Sequence, residues 1–541
     1  MLLTTAAKNI VTKASVAARS GLVLRRAGLA GRPDESIKSI RAVQKFGPFA
    51  GVITIGARKD PHAVALVDEL GELTFRQLDQ RANALARAWS EQGIGTGTVI
   101  AALCRDHRGL LTVMAASGKA GAKLLLMNTG FAKPQLADVA AREGVRALVY
   151  DEEFTGLLDA VAPGVPRYIS WVEADSAADP VVQKIEELVA GTDDRPVPAP
   201  DRPGSFILLT SGTTGTPKGA PREKTSPLAS AQLLDRIPLR SGEATYMAAP
   251  IFHGTGLSQA LLSLALGCKL VTHRRFDPEA TIRGVAEQKC TALVVVPTML
   301  QRIIDLGPEV LSKYDTSALR IVFAAGSAIA PDTVTRTLDT FGPVLYNLYG
   351  STEVAVATVA QPDELRKAPT TAGRPPVGCM VKLFDEHDKE ITEPHTVGRI
   401  FVGSGLSFQG YTDGRHKQVV DGLLSSGDVG HFDEDGLLFV DGRDDDMIVS
   451  GGENVYPLEV ENLIAGREDV LEAAVIGVPD DEFGQRLKAF VVRANGATVD
   501  ADEIRDYVKS NLARYKVPRD VEFLDELPRN ATGKLLRNDL S

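Results

Sequence analysis

The chain has 541 residues, 44% of them hydrophobic and 24% charged, with a formal net charge of −10. That length exceeds what one compact core holds, so at least two domains are expected. The composition is that of a soluble globular protein, and the acidic balance argues against a general nucleic-acid binder and for a cytoplasmic enzyme. Cys104, Cys268, Cys290 and Cys379 are scattered without a CxxC pair, which speaks against a zinc site or disulfide framework and fits a reducing compartment. No run approaches the length of a membrane-spanning helix.

The first 33 residues carry Lys8, Lys13, Arg19, Arg25, Arg26 and Arg32 and no acidic residue, with apolar positions such as Ile10, Val16 and Leu22 between them. Two readings stay open for this segment, taken as residues 1–45. One is a basic amphipathic helix on an anionic membrane surface, at the inner face of the membrane; the other is a helix or frayed terminus against the main body.

From His62 the pattern alternates strands and helices. His62–Val67, Val99–Leu103, Lys123–Met127 and Arg146–Tyr150 read as strands, Thr74-Phe75-Arg76-Gln77 as a capping box opening a helix, and Pro134 as a first-turn proline. A proline-rich stretch, Thr192–Gly204, precedes the apolar run Phe206–Leu209. Strands resume at Ala244–Ala249, Lys269–Thr272, Thr291–Val296 and Arg320–Ala325. Beyond Gly373 the strands shorten and alternate, as in Gly398–Val402 and Gly436–Val440, which predicts a small β-rich subdomain. The predicted class is α/β: a large N-terminal domain of layered sheets with that subdomain, then a small α+β C-terminal domain. The polar, turn-like Gly442–Asp446 is the expected boundary.

The central motif is Leu209–Gly219, with three glycines, four threonines, one serine and one lysine after a strand. Such a loop offers bare N–H groups and hydroxyls to an anion, with Lys218 as a mobile charge; it is not a P-loop by spacing. Ala324–Ala328 ends another strand in small residues, leaving room for a flat ring. Asn347-Leu348-Tyr349-Gly350-Ser351-Thr352-Glu353 adds a hard oxygen donor, Glu353, suited to Mg²⁺, and a hydroxyl, Thr352, for a phosphate oxygen. Asp428, in Ser426-Gly427-Asp428, reads as a carboxylate on a tight turn that holds two ribose hydroxyls, and Arg443 as a second clamp. Lys534, in Pro528-Arg529-Asn530-Ala531-Thr532-Gly533-Lys534, sits on a glycine-containing loop that domain motion can deliver to or withdraw from a site.

These motifs, in this order from about Ala50 onward, resemble the acyl-adenylate-forming enzymes, and the chain looks most like a bacterial fatty-acid–CoA ligase. The resemblance implies an adenylation domain over 46–442, a hinge at 443–446 centred on Asp445, and a mobile lid over 447–541. It implies that Thr210, Ser211, Gly212, Thr213, Thr214, Gly215 and Lys218 hold the phosphates of ATP. Gly326, Ser327, Ala328, Asn347, Tyr349, Gly350 and Ser351 would line the adenine, with Asp428 and Arg443 on the ribose. His253, in Pro250-Ile251-Phe252-His253-Gly254, would lie near the substrate carboxylate, and Glu353 would hold Mg²⁺. Lys534 would be the catalytic lysine, with Thr352 beside it in the chemistry. Gly451 and Gly452, in Ser450–Pro457, would face CoA. The implied reaction is ATP-dependent ligation of a medium- to long-chain fatty acid to CoA. A ligase loading a carrier protein, an aromatic or short-chain acid ligase, and a binding protein without turnover remain alternatives. A homodimer is one oligomeric option.

Overall fold

The computed structural model describes residues 2–31, 33–173, 181–210, 218–222, 230–351, 353–404, 417–444, 446–450, 453–480, 484–494, 496–530 and 533–540. They form two compact units. The first holds the described residues of Met1–Val295 and Leu306–Phe323, the second those of Val296–Asp305, Ala324–Ser404 and Lys417–Ser541. The chain leaves the first unit within the strand Ile321–Ala325.

The first unit opens with three helices, Leu2–Ala27, Pro33–Phe46 and Pro48–Lys59. Each of the last two starts on proline, where the missing N–H is an orphan in any case. In the first helix Ser20 and Ala27 are buried, and Arg19 lies 3.9 Å from Asp235 of the helix Ser230–Arg236. Leu22 is 68% exposed, and Arg25 and Arg26 are exposed too. One face therefore packs on the body while an apolar and basic face stays open.

Two sheets follow. In one, strands run in the order Gln183–Lys184, Arg167–Trp171, Ala147–Asp151, Val99–Leu103, Lys123–Leu126, Ser205–Thr210, Lys218–Arg222, parallel except for the last. The core beneath it is mostly aliphatic, including Leu103, Leu125, Val139, Leu148 and Ile207, with Phe131, Tyr150 and Phe154 among them, as expected for parallel strands covered by helices. In the other, Val64–Asp68, Lys269–Thr272, Ala244–Met247 and Ala292–Val295 lie side by side and parallel. The capping box is present: Gln77 N–H donates to Thr74 Oγ1 at 3.2 Å, and Thr74 N–H to Gln77 Oε1 at 2.8 Å. It opens the helix Phe75–Glu91, whose Leu78, Ala82, Leu85, Ala86 and Trp89 are buried.

The second unit contains the hairpin Leu345–Ser351/Ala355–Ala360 and the expected β-rich sheet. That sheet is built from Met380–Phe384, Glu390–Ile391, Gly398–Gly403, Val419–Val420, Leu423–Phe432 and Leu438–Arg443. Gly442 and Arg443, read from sequence as part of a turn-like linker, belong to the last of these strands, facing Val429 and Asp428. Further on, Gly484–Arg493 pairs with Val470–Asp480 and with Asp520–Leu524, and the helices Pro457–Ala465 and Ala501–Asn511 follow the same α+β pattern. Val460, Ile464, Val475, Leu487, Val491, Ile504 and Val508 form its core.

One buried ion pair organises this last part. Arg537 donates to both oxygens of Glu461, at 2.5 and 2.9 Å, and to Val475 O at 2.7 Å, while Val475 N–H donates to Glu461 at 2.7 Å. Arg537 keeps a second carboxylate, Asp446, at 3.3 Å, so Glu461→Ala removes its charge-assisted bonds without leaving it unpaired and is expected to cost about 2 kcal/mol in urea unfolding. A loss below about 0.5 kcal/mol would place the pair among solvent-screened surface contacts instead.

Candidate functional site

In the first unit, the strand ending at Thr210 returns as Lys218–Arg222, with Thr210 opposite Lys218 in an antiparallel pair. Lys218, read as part of the loop, thus begins a strand; the segment Ser211–Pro217, which carries Ser211, Gly212, Thr213, Thr214 and Gly215, lies outside the described residues. His253 occupies the position just before the helix Gly254–Ala265 and makes no side-chain cap. Its Nε2 is buried without a hydrogen-bond partner, and its ring centre lies 4.3 Å from that of Phe252. Burial pushes the imidazole down to about 4, so at neutral pH it is uncharged. An uncharged ring with an unsatisfied nitrogen is poised to exchange a hydrogen bond with a bound molecule.

The second unit gathers most of the other predicted residues. Beyond the buried Ala324 and Ala325, Gly326 and Ala328 are exposed and Ser327 is half-buried, so the strand end presents bare backbone. Asn347 and Tyr349 alternate along Leu345–Ser351, and Asn347 Oδ1 is buried without a partner, an acceptor free for the amino edge of a base. Gly350 and Ser351 end that strand. Ser351 Oγ accepts from Glu353 N–H at 3.2 Å and Val354 N–H at 3.3 Å, which fixes the turn carrying the half-buried Glu353. Thr352 lies outside the described residues.

Asp428 differs from its reading as a turn residue: it sits within the ten-residue strand Leu423–Phe432, in register with Arg443. Strand pairing, not a turn, brings the two together. Tyr349 Oη donates to Asp428 Oδ2 at 2.5 Å, and Arg443 Nη1 stands 3.5 Å from Asp428 Oδ1. Burial pushes the Asp428 carboxyl up, while the Tyr349 hydroxyl and Arg443 draw it down. Tyr349 is raised well above the usual phenol range, chiefly by burial and then by Asp428 beside it. The phenol therefore stays protonated and keeps donating.

Lys534 is half-buried on a tight loop. Its N–H donates to Asn530 Oδ1 at 2.9 Å, and its carbonyl accepts from Asn530 N–H at 2.9 Å. Asp445, Gly451 and Gly452 lie outside the described residues; the flanking strands Ile448–Ser450 and Glu453–Val455 pair as a hairpin with Ser450 opposite Glu453. Lys417 escaped the sequence reading: its Nζ donates to Ser426 O at 3.4 Å and its charge also draws down Asp428. Its sequence signal is one cation of Arg415-His416-Lys417, nine positions ahead of Ser426, which is too common to single out.

Residues 54–412 match the family model of the AMP-binding enzymes, and residues 459–534 that of the AMP-binding enzyme C-terminal domain. The chain is 34% identical over 490 residues to a feruloyl-CoA synthase of an Amycolatopsis species, covering 90% of this chain and 96% of that one. It is 30% identical over 497 residues to a fatty acid–[acyl-carrier-protein] ligase of Streptomyces coeruleorubidus, covering 90% and 94%. Among solved structures, the o-succinylbenzoate CoA synthetase of Bacillus subtilis in complex with its acyl-adenylate intermediate aligns with a TM-score of 0.77 at 25% identity, covering 91% of this chain and 97% of that one. With the family model spanning most of its length, the chain belongs to the AMP-binding enzyme family and is an acid–thiol ligase of the acyl-adenylate-forming superfamily.

Proposed function

We propose that the chain ligates an apolar carboxylic acid to CoA, spending ATP to AMP and pyrophosphate. The observation that carries this is the Tyr349–Asp428–Arg443 cluster. It is a buried carboxylate held between a phenol and a guanidinium, with oxygens suited to the vicinal hydroxyls of a ribose. Asn347 Oδ1 supplies an acceptor for the base edge. The acid's carboxylate attacks the α-phosphorus of ATP; a carbonyl–O–P bond forms, and the bond to pyrophosphate breaks. Lys534 stabilises the charge that builds on the α-phosphoryl oxygens, while the Thr210–Gly215 loop and Lys218 hold the leaving phosphates. The lid, residues 447–541, then turns about Asp445, withdraws Lys534 and brings Gly451 and Gly452 toward CoA. The CoA thiol attacks the carbonyl carbon and AMP leaves.

Glu353 and Thr352 are the proposed contacts to Mg²⁺ and phosphate. Among the described residues no three His, Cys, Asp or Glu side chains gather as a metal set. One hard carboxylate oxygen plus phosphate oxygens is the usual holding of Mg²⁺, so Glu353 fits it. When bound, the ion neutralises phosphate charge.

For the acid itself, the buried Phe252, Leu257, Ala260 and Leu264 around the His253 segment favour an apolar body. The motif resemblance points to a medium- or long-chain fatty acid, whereas the feruloyl-CoA synthase and o-succinylbenzoate CoA synthetase names favour an aryl acid. Pyrophosphate and AMP release over acetate, octanoate, palmitate, benzoate and ferulate, with and without CoA, separates them. The expected result is CoA-dependent AMP turnover peaking on octanoate, palmitate or ferulate. Pyrophosphate release that only a carrier-protein thiol converts to turnover would favour the carrier-loading reading, which the fatty acid–[acyl-carrier-protein] ligase supports. No reaction with any acid would overturn catalysis.

The open face of the first helix is proposed to rest on anionic membrane, through Leu22, Arg25 and Arg26. No described helix is long and apolar enough to cross a membrane. Each basic residue near such a surface is worth about 1 kcal/mol, so Arg25→Glu with Arg26→Glu should cut co-sedimentation with phosphatidylserine-rich vesicles by at least about tenfold. Unchanged co-sedimentation would leave the helix a packing element only. A homodimer, carried by resemblance, is checked by light scattering of the full chain.

A further inference from the structure

The segment Pro250–His253 runs from the strand Ala244–Met247 into the helix Gly254–Ala265, and its backbone is pinned on both flanks. Ala248 and Ala249 N–H both donate to Val294 O, at 3.0 and 2.9 Å. On the other side, a Cβ added to Gly256 would stand 2.1 Å from Pro250 O, so helix and segment touch backbone to backbone. Between these anchors, Ile251 N–H donates to both carboxyl oxygens of Asp106, each at 3.1 Å, from a turn 145 positions earlier in the chain.

That turn is itself rigid. Arg105 N–H donates to Asp151 Oδ2 at 2.8 Å, and Arg108 is bound to Asp68 through its N–H at 2.9 Å and through its guanidinium. Gly109 N–H donates to His107 Nδ1 at 2.9 Å, which leaves the proton on Nε2, and Nε2–H donates to Asp151 Oδ1 at 2.8 Å. Asp106 is 7% exposed. A carboxyl group buried so deeply for one amide hydrogen is poorly compensated as a stabilising device. Its consequence lies in what it holds: the backbone immediately before Phe252 and His253.

We infer that Asp106 is a positioning residue for the acyl site, setting through Ile251 where Phe252 and His253 meet the substrate's carboxylate. This rests on the reading that Pro250–Gly254 borders the acyl pocket. Burial pushes the Asp106 carboxyl up to about 7, Asp151 adds to the rise, and the Ile251 N–H and Arg105 oppose it; Cys104 is the other titratable group facing it. The carboxylate is the stronger acceptor, so the segment is held more firmly as pH rises through about 7. Stability runs the other way. A carboxyl whose folded value is raised contributes stability that is fully present below the ordinary aspartate range and lost as pH rises through about 7.

The test measures AMP release against octanoate and ferulate at saturating ATP and CoA, and against ATP at saturating acid and CoA, for wild type, Asp106→Ala, Asp106→Asn and His253→Ala. Asp106→Ala should raise the KM of the acid about tenfold with the KM of ATP within about twofold, and Asp106→Asn, which keeps an acceptor, should hold the acid KM within about threefold. Wild type should show an acid KM that falls from about pH 6 to about pH 8, and Asp106→Asn should lack that step. If Asp106→Ala does not fold, the pH profile of Asp106→Asn decides: a step like that of wild type overturns the proposal. An equal rise in both KM values for Asp106→Ala, or no rise, overturns it as well. His253→Ala separates the two layers. If it raises the acid KM and Asp106→Ala does not, only the positioning role falls; if it leaves the acid KM unchanged, the pocket reading falls and takes the positioning role with it.

Discussion

Lys534→Ala is expected to slow acyl-adenylate formation by about 10²–10³-fold and to leave thioester formation from supplied acyl-adenylate within about threefold of wild type. The asymmetry follows from where charge develops. In the first half-reaction, negative charge spreads over the α-phosphoryl oxygens, and a fixed ammonium lowers that barrier; in the second, AMP leaves already charged. The loop that carries Lys534 is braced by hydrogen bonds. Asn530 clamps it from both sides, Arg529 donates to Gly533 O at 2.7 Å, and Arg529 is itself held by Glu472 at 3.0 Å. Gly533 has φ +76, and a Cβ there would stand 2.3 Å from Thr298 Oγ1, on the first turn of the helix Pro297–Ile304. Gly533→Ala should therefore share the adenylation defect while retaining the lysine. Rapid-quench measurement of pyrophosphate in one half-reaction and of thioester in the other reads both. Equal loss in the two halves for Lys534→Ala would remove the lysine from the adenylation step.

The second large effect is on the nucleotide. Asp428→Ala should raise the KM of ATP by about 30- to 100-fold, since it deletes the buried carboxylate proposed to accept from two ribose hydroxyls, each charge-assisted bond being worth about 1.5 kcal/mol or more. It also removes the carboxylate to which the Tyr349 hydroxyl donates and beside which Arg443 stands. Tyr349→Phe isolates the hydroxyl and should cost about five- to tenfold. A pH consequence accompanies this. Burial raises the Asp428 carboxyl, so on acidification it takes up a proton earlier than an exposed aspartate does. ATP KM should therefore climb on acidification for wild type, and Asp428→Asn, with no proton to take up, should lack that limb. An ATP KM within about threefold of wild type for Asp428→Ala would assign the ribose to other residues.

Much of the fold was legible because it is written in short-range chemistry. Val99–Leu103 and Lys269–Thr272 are apolar runs of strand length that form strands over the residues read from the sequence, and Thr74 with Gln77 closes its capping box three residues apart. Where the reading slipped, a longer-range pairing won. Gly442 and Arg443 look like a polar linker, yet they extend a strand because Val429 and Asp428 lie opposite them. Asp428 looks like a turn residue after Gly427, and the same pairing keeps it in the sheet. Lys218 looks like part of a loop and is drawn into a strand by Thr210.

The sequence by itself determined the family and the order of its motifs. A glycine- and threonine-rich loop after a strand, a Tyr-Gly-Ser-Thr-Glu turn and a Gly-Lys loop are local patterns whose chemistry travels with their spacing. The tertiary structure decided which distant groups meet. Tyr349 reaches Asp428 across 79 positions, Asp106 reaches Ile251 across 145, and Arg537 reaches Glu461 across 76. Sheet register and core packing set those encounters, and neither is encoded in any one stretch. The burial that shifts Asp106, Asp428 and His253 has the same origin: it is a property of what packs over a side chain, and a sequence names the side chain without naming its cover.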